Sequence, residues 1–190
     1  MDTKSLIIDV ATSLFQKKGY LGVGLNEILK ACNISKGSLY HHFPKGKEEL
    51  LIACLHALNG VITTDTERIF QHYPSTQTAT QAMIEKLVAD FDREGTITGY
   101  TFSSIVSEMG SLSEPVRNAC DLSFTKIQDI FLNKLVADGF SKETAHSIAL
   151  MMTASIEGGI MLCLTKKTSE PLKIISQGLP NFIKGVRLSE

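Results

Sequence analysis

The sequence predicts an all-α fold of about nine helices, on three observations. Apolar residues recur at three- and four-residue steps along nearly the whole chain, while strand-like alternation is almost absent. The breaks between these stretches hold the residues that end and start helices: glycine, proline and serine. The composition is that of an ordinary globular chain of one or two domains, with 190 residues, 43% of them hydrophobic and 21% charged, and no fixed-period repeat.

Taken in order, Leu6, Ile7, Val10, Ala11, Leu14 and Phe15 form one apolar stripe on a first helix. Lys17 and Lys18 complement the dipole of its last turn, and Gly19 stands just past its end. A short second helix runs from Leu25 to about Cys32, with Leu25, Ile28 and Leu29 inward. Asn33-Ile34 makes a tight turn, and Ser35 caps a third short helix ending near Phe43. Pro44-Lys45-Gly46 then breaks the chain. A longer helix begins near Lys47, turns Leu50, Leu51, Cys54, Leu55, Leu58, Val61 and Ile62 inward, and stops at Tyr73-Pro74-Ser75. Helical patterns follow at 77–94, 99–110, 114–138, 142–165 and 170–186. Two starts share a tripeptide, Ser113-Glu114-Pro115 and Ser169-Glu170-Pro171, in which serine caps and proline is tolerated in the first turn. Gly95 and Gly139 sit where helix ends are expected.

The formal charge of −1 excludes an evenly positive surface. Residues 1–50 nevertheless carry seven lysines against five acids, a net +2 that leaves −3 for the remainder. A mildly basic head on an acidic body suits phosphate contact at one end. Cys32, Cys54, Cys120 and Cys163 lie far apart, and MDTKSLIIDV is no signal peptide, so reduced thiols in a soluble cytoplasmic protein are expected. The uncharged stretch from Leu50 is interrupted by His56 and Asn59 and falls short of a transmembrane helix, so no membrane partner is expected. No residue set resembles a catalytic constellation, so neither an enzyme nor a cofactor is expected. Gly22-Val23-Gly24 fails as a dinucleotide loop, because Glu27 stands where the third glycine belongs and no strand precedes it. His41 and His42 would point ~100° apart on a helix and cannot share one metal ion, and His56, His72 and His146 have no ligand-spaced partners.

The informative stretch is LNEILKACNISKGSLYHHFPKGKEELL, residues 25–51. Two short helices joined by a tight turn make a helix-turn-helix, which seats its second helix in the major groove of DNA. Leu39 and Phe43, four apart, pin that helix inward. Ser35, Lys36, Gly37 and Ser38 leave its first turn facing a phosphate or base edge, and Gly37 lets the backbone approach closely. Tyr40, His41 and His42 project hydroxyl and imidazole donors outward, and Lys47 starts the next helix within reach of a flanking phosphate. These eight residues are the expected contacts to a double-stranded operator.

The run S-K-G-S-L-Y-H-H-F, followed by the K-E-x-L start of the next helix, resembles the TetR family of bacterial one-component transcriptional regulators. That resemblance covers residues 3–60. Phe43-Pro44-Lys45-Gly46-Lys47-Glu48, with Gly24-Leu25-Asn26-Glu27-Ile28 upstream, is similar to the narrower LmrA/YxaF-like branch, which includes repressors released by flavonoids and repressors of multidrug-export genes. One departure is that many members place Thr or Ser just ahead of the second helix, where this chain has Val23 and Gly24. Operator contacts should therefore lean on Lys36, Tyr40, His41 and Lys47.

The resemblance implies a helix-turn-helix domain at 1–46, a linking helix at 47–73 and a ligand-binding and dimerisation domain at 74–190. It implies a homodimer through the last two helices. There Leu172, Ile175, Leu179, Phe182, Ile183 and Val186 would pair with the Ala145, Ile148, Ala149, Met152, Ile156, Gly159, Ile160 and Cys163 face, with Gly158 and Gly159 allowing close approach, the alternative being that the terminal stripe docks on its own body. Ligand binding would shift the linking helix, so that two recognition helices no longer match half-sites ~34–36 Å apart. Inward candidates for the ligand are Leu87, Phe91, Phe102, Ile105, Val106, Met109, Phe124, Ile127, Met152 and Ser155. Each by itself reads first as core, but together their methionines and aromatics suit a cavity for a small, planar, flavonoid-like hydrophobic effector, with Tyr100, Glu108 and Glu157 as polar groups. The function expected is a ligand-released repressor. The alternatives are an activator or global regulator without an effector and, further off, a helical binding protein or enzyme with a degenerate head.

Overall fold

A computed structural model describes residues 2–97, 102–109 and 111–187, and of 102–104 the backbone only. Those residues form nine α-helices and no strand: α1 (Thr3–Lys18), α2 (Leu25–Cys32), α3 (Lys36–His42), α4 (Lys47–His72), α5 (Thr76–Glu94), α6 (Phe102–Met109), α7 (Glu114–Ala137), α8 (Lys142–Lys166) and α9 (Glu170–Arg187). The all-α prediction holds, with most boundaries within a residue or two. The chain divides into two compact units, Met1–Val61 with Thr101–Ser123 and Ile62–Tyr100 with Phe124–Glu190, so α4 and α7 each contribute to both.

In the first unit, Asp2 caps α1 by accepting the Ser5 N–H at 2.7 Å. Ile7, Ala11 and Phe15 are buried, whereas Leu6 is exposed and drops out of the predicted stripe. Gly24 starts α2 with no side-chain cap, and Asn33 ends it in the left-handed region, returning its N–H to the carbonyls of Leu29 and Lys30. Ile28, Leu39, Phe43, Leu50 and Leu51 are at most 1% exposed, each contributing about 1.5–3 kcal/mol of burial. The Cys54 thiol donates to the Ile8 carbonyl and ties α4 to α1. Asn59, a buried amide the periodicity gives no hint of, donates to the Ser123 carbonyl and joins α4 to α7.

In the second unit, the 73–75 break is closed by the end of α7. Asp138 accepts from both the N–H and the hydroxyl of Thr76, and the Lys134 ammonium donates to the carbonyls of Tyr73 and Pro74. Ser75 and Thr78 form a reciprocal capping box on α5. α9 packs on both α5 and α8. A Cβ at Gly159 would lie 2.6 Å from Ile175 and 2.9 Å from Leu172, so α8 and α9 approach closely only because residue 159 is glycine. The two Ser-Glu-Pro starts differ. Ser113 caps α7 by accepting the Val116 N–H, but Ser169 gives its hydroxyl to Asp92 of α5, leaving Thr168 to accept the Glu170 N–H.

α8 is long and apolar enough by composition to cross a membrane, and its apolarity runs round the helix. The face expected to pair two copies, including Ala145, Ile148, Ala149, Met152, Ile156, Ile160 and Cys163, is instead interior to this unit. What α8 turns outward is Leu150, Met151, Ala154, Gly158, Met161 and Leu162, while α9 turns out Ile174, Gly178 and Phe182. Gly159 serves packing within the chain, and a Cβ at Gly158 would meet nothing within 4 Å.

Candidate nucleic-acid interface

α3 is seven residues long and has a sharp inside and outside. Leu39 and Phe43, 0% and 1% exposed, anchor it. Ser35 caps it, accepting the Ser38 N–H at 3.1 Å. Ser35, Lys36, Gly37, Tyr40 and His41 are exposed, and Ser38 and His42 half-buried, so seven of the eight expected contacts share this short segment and present at least part of their surface. Tyr40 is held on two sides. The Lys36 ammonium lies 5.8 Å from its ring centroid, and the ring lies against Gly46. Gly46 has φ +76°, and a Cβ there would come 3.4 Å from the ring, so the glycine serves both the backbone and the tyrosine. The rings of His41 and His42 meet edge to face at 5.1 Å.

Lys47 is the exception. Its ammonium does not reach outward; it donates to the Tyr20 carbonyl at 2.5 Å and lies 3.9 Å from the centroid of the Tyr20 ring. Burial lowers the pKa of the ammonium, partly offset by the Glu108 carboxylate. A cation already satisfied by a carbonyl and an aromatic face gains little by leaving for an exposed phosphate. Exposed cations that the segment 35–47 offers instead are Lys36 and Lys45, with Lys4, Lys17 and Lys30 elsewhere on the head.

The candidate effector residues divide. Leu87 and Phe91 of α5, Ile127 of α7 and Met152 of α8 are buried in the second unit, and Phe124 and Ser155 are half-buried there. Ile105 and Met109 are buried in the first unit, where Ile105 lines a cavity of about 10 Å³ with Phe15, Leu51, Cys54, Leu55 and Leu58. Val106 is 37% exposed and is not an inward residue: adjacent positions on a helix point ~100° apart, and Ile105 takes the inner one. The Phe102 side chain and Tyr100 lie outside the described residues. Glu108 is engaged in the head. It accepts the Tyr20 N–H at 2.8 Å, in the turn between α1 and α2. No sequence signal marks this pairing beyond Gly19, a helix-ending glycine over which the carboxylate lies.

Comparison with known proteins agrees with this arrangement. Residues 7–54 match the family model of bacterial regulatory proteins of the tetR family, and residues 76–178 match that of the LmrA/YxaF-like transcriptional regulator C-terminal domain. The chain is 35% identical to the HTH-type transcriptional regulator YxaF of Bacillus subtilis over 96% of each chain. It is equally identical to the HTH-type transcriptional regulator LmrA of the same organism, over 96% of this chain and 97% of that one. Among solved structures, the reduced form of NemR from E. coli superposes with a TM-score of 0.83 at 23% identity, covering 95% of this chain and 96% of that one, a likeness of fold. The chain belongs to the TetR family, as a helix-turn-helix transcriptional regulator with an LmrA/YxaF-like C-terminal domain.

Proposed function

We propose that the protein is a homodimeric repressor that reads a palindromic operator through α3 of each copy and is released by a small, planar, hydrophobic effector. The observation that carries the DNA part is the division of α3, anchored by Leu39 and by Phe43 at its C-cap while Lys36, Tyr40 and His41 stand in solvent. Ser35, Gly37, Ser38 and His42 complete the contact surface. Phosphate contacts fix its position, and base-edge contacts from Ser38 or His41 supply preference. Lys47 enters this reading as a support of the head and not as a phosphate contact.

The dimer rests on the outward faces of α8 and α9. Leu150, Met151, Met161, Leu162, Ile174 and Phe182 are between 40% and 63% exposed, with small residues Ala154, Gly158 and Gly178 between them. An apolar face of this kind on neighbouring helices suits an isologous four-helix contact with a second copy. The domain organisation follows: residues 1–46 contact DNA, 47–73 link, and 74–190 dimerise and hold the effector, with Leu87, Phe91, Ile127 and Met152 as the apolar candidates. A flavonoid-like ring system fits the branch to which the relatives belong.

A nuclease footprint on the DNA upstream of the protein's own gene, at physiological salt, tests this reading. The expected result is one protected palindrome with half-sites about one helical turn apart, lost on adding a flavonoid. Protection that no planar aromatic compound relieves would favour an effector-independent regulator, and protection of a single half-site would count against the dimer.

A further inference from the structure

The connection between α1 and α2 is six residues, Gly19 to Gly24, three of them glycine, and its own backbone supplies one turn bond, from Val23 N–H to the Tyr20 carbonyl at 3.3 Å. A segment so poor in internal bonds depends on outside groups to hold one shape. Two groups do this at Tyr20: the Glu108 carboxylate of α6 accepts its N–H at 2.8 Å, and the Lys47 ammonium of α4 donates to its carbonyl. The other carboxylate oxygen lies over Gly19, where an added Cβ would be 2.6 Å away, and Gly19 itself has φ +71°. The seat exists because residue 19 is glycine.

α6 has little freedom to carry Glu108 elsewhere. Three residues earlier on the same helix, Ile105 fills the space between Phe15 of α1 and Leu51, Cys54, Leu55 and Leu58 of α4, and the residual cavity of about 10 Å³ is too small for more than one water. Beyond the turn, Val23 is 1% exposed, Gly24 starts α2, and Lys18 pairs with Glu27 at 2.5 Å across the turn. α2 in turn leads through Asn33-Ile34 into α3.

We propose that Glu108 is a positioning residue of the DNA-binding head: from α6 it holds the Gly19–Tyr20 turn, and through that turn it fixes where α2 and α3 sit. The proposal rests on the reading of α3 as the DNA-contacting helix. A displacement of α6 then reaches α3 through a hydrogen bond to the turn, in addition to any movement of α4.

The test uses the full-length wild type, Glu108→Gln and Glu108→Ala. It measures amide exchange at Tyr20, Val23 and Leu39, and the Kd for a duplex that the wild type selects from a random library. Glu108→Ala is expected to speed exchange at Tyr20 and Val23 at least tenfold and to weaken the selected duplex about tenfold. Glu108→Gln, which keeps an acceptor oxygen, should stay within threefold of wild type in both. Should Glu108→Ala fail to fold, Glu108→Asp, one methylene short of the Tyr20 amide, carries the same expectations. Unchanged Tyr20 exchange overturns the proposal, as does fast Tyr20 exchange with an unchanged Kd, or a glutamine variant as damaged as alanine. If the wild type selects no duplex, it is the DNA reading of α3 that fails, and the exchange rates still decide whether Glu108 holds the turn.

Discussion

Two parts of the molecule leave side chains uncovered, and they do so in opposite chemistry. α3 and its C-terminal cap spend their apolar residues, Leu39 and Phe43, on the interior, and the helix exposes lysine, tyrosine and histidine. α8 buries Ala145, Ile148, Met152, Ile156 and Ile160 and still has Leu150, Met151, Met161 and Leu162 left over in solvent. A surplus of polar donors on a well-anchored short helix suits a charged, hydrated partner, and a surplus of apolar area suits a partner that excludes water. On the proposed reading, the same chain carries two recognition surfaces whose partners cannot be exchanged.

The largest effect that would break this comparison is at an anchor. Phe43→Ala should destabilise the first unit by about 4 kcal/mol, since a fully buried aromatic is lost and a cavity remains. DNA binding should go with it, while sedimentation well below the unfolding temperature should still show a dimer. If dimerisation fails as well, the two surfaces do not depend on separate units. Next in size, Leu162→Glu places a charge on the outward face of α8, 47% exposed in the single chain, and a symmetric contact would bury it twice. Dimerisation should weaken at least a hundredfold, about 3 kcal/mol, with the monomer's helix content by circular dichroism unchanged. A dimer of wild-type affinity would move the interface off this face.

These two surfaces were not equally legible in the sequence. In α3 and its cap, two apolar residues four apart among polar ones admit a single inward direction, so the anchors and outward residues are found from spacing. α8 is apolar on every side, so periodicity carries no direction, and the face taken for the partner proved to be the face toward α9 and the core. α6 fails for a related reason: Ile105 and Val106 are adjacent apolar residues, and only packing decides that Ile105 turns in. Glu108 and Lys47 are a third kind of miss. Their long side chains find Tyr20 from positions 88 and 27 residues away in the chain, and no local pattern encodes which distant backbone group a flexible charge will meet.

A smaller effect sharpens how dry the head is beneath its polar exterior. Burial pushes the Cys54 thiol up to about 11 from an ordinary 9.0. A pKa raised in the folded state means the native protein holds its proton longer than the unfolded chain does. The corresponding stability is fully present below about pH 9 and is lost as pH rises through about 11, with about 2 kcal/mol of it gone by pH 11. Unfolding by urea between pH 8 and 11 should therefore show a steeper decline for wild type than for Cys54→Ala. Parallel declines would mean that water reaches the thiol. The same protonation should keep Cys54 unlabelled by iodoacetamide at pH 8 until the protein is denatured.

The smallest expected effect separates two lysines that the sequence treats alike. Lys36 is exposed on α3, and the Lys47 ammonium is turned onto the carbonyl and ring of Tyr20. If Lys36 meets a phosphate, Lys36→Ala should lower the slope of log Kd against log salt by about one, for specific and random duplexes alike. Over a fourfold change in salt that is about a fourfold difference in affinity, or about 0.8 kcal/mol. Lys47→Ala should leave the slope as it is, because no counterion is released by an ammonium that never leaves the head; any loss of affinity should then be independent of salt and accompanied by lower thermal stability. A slope that falls for Lys47→Ala as well would show that the ammonium abandons Tyr20 when DNA binds. Glu108 would then be left to hold Tyr20 without Lys47, and the polar surface of the head would extend one helix further than the unbound arrangement shows.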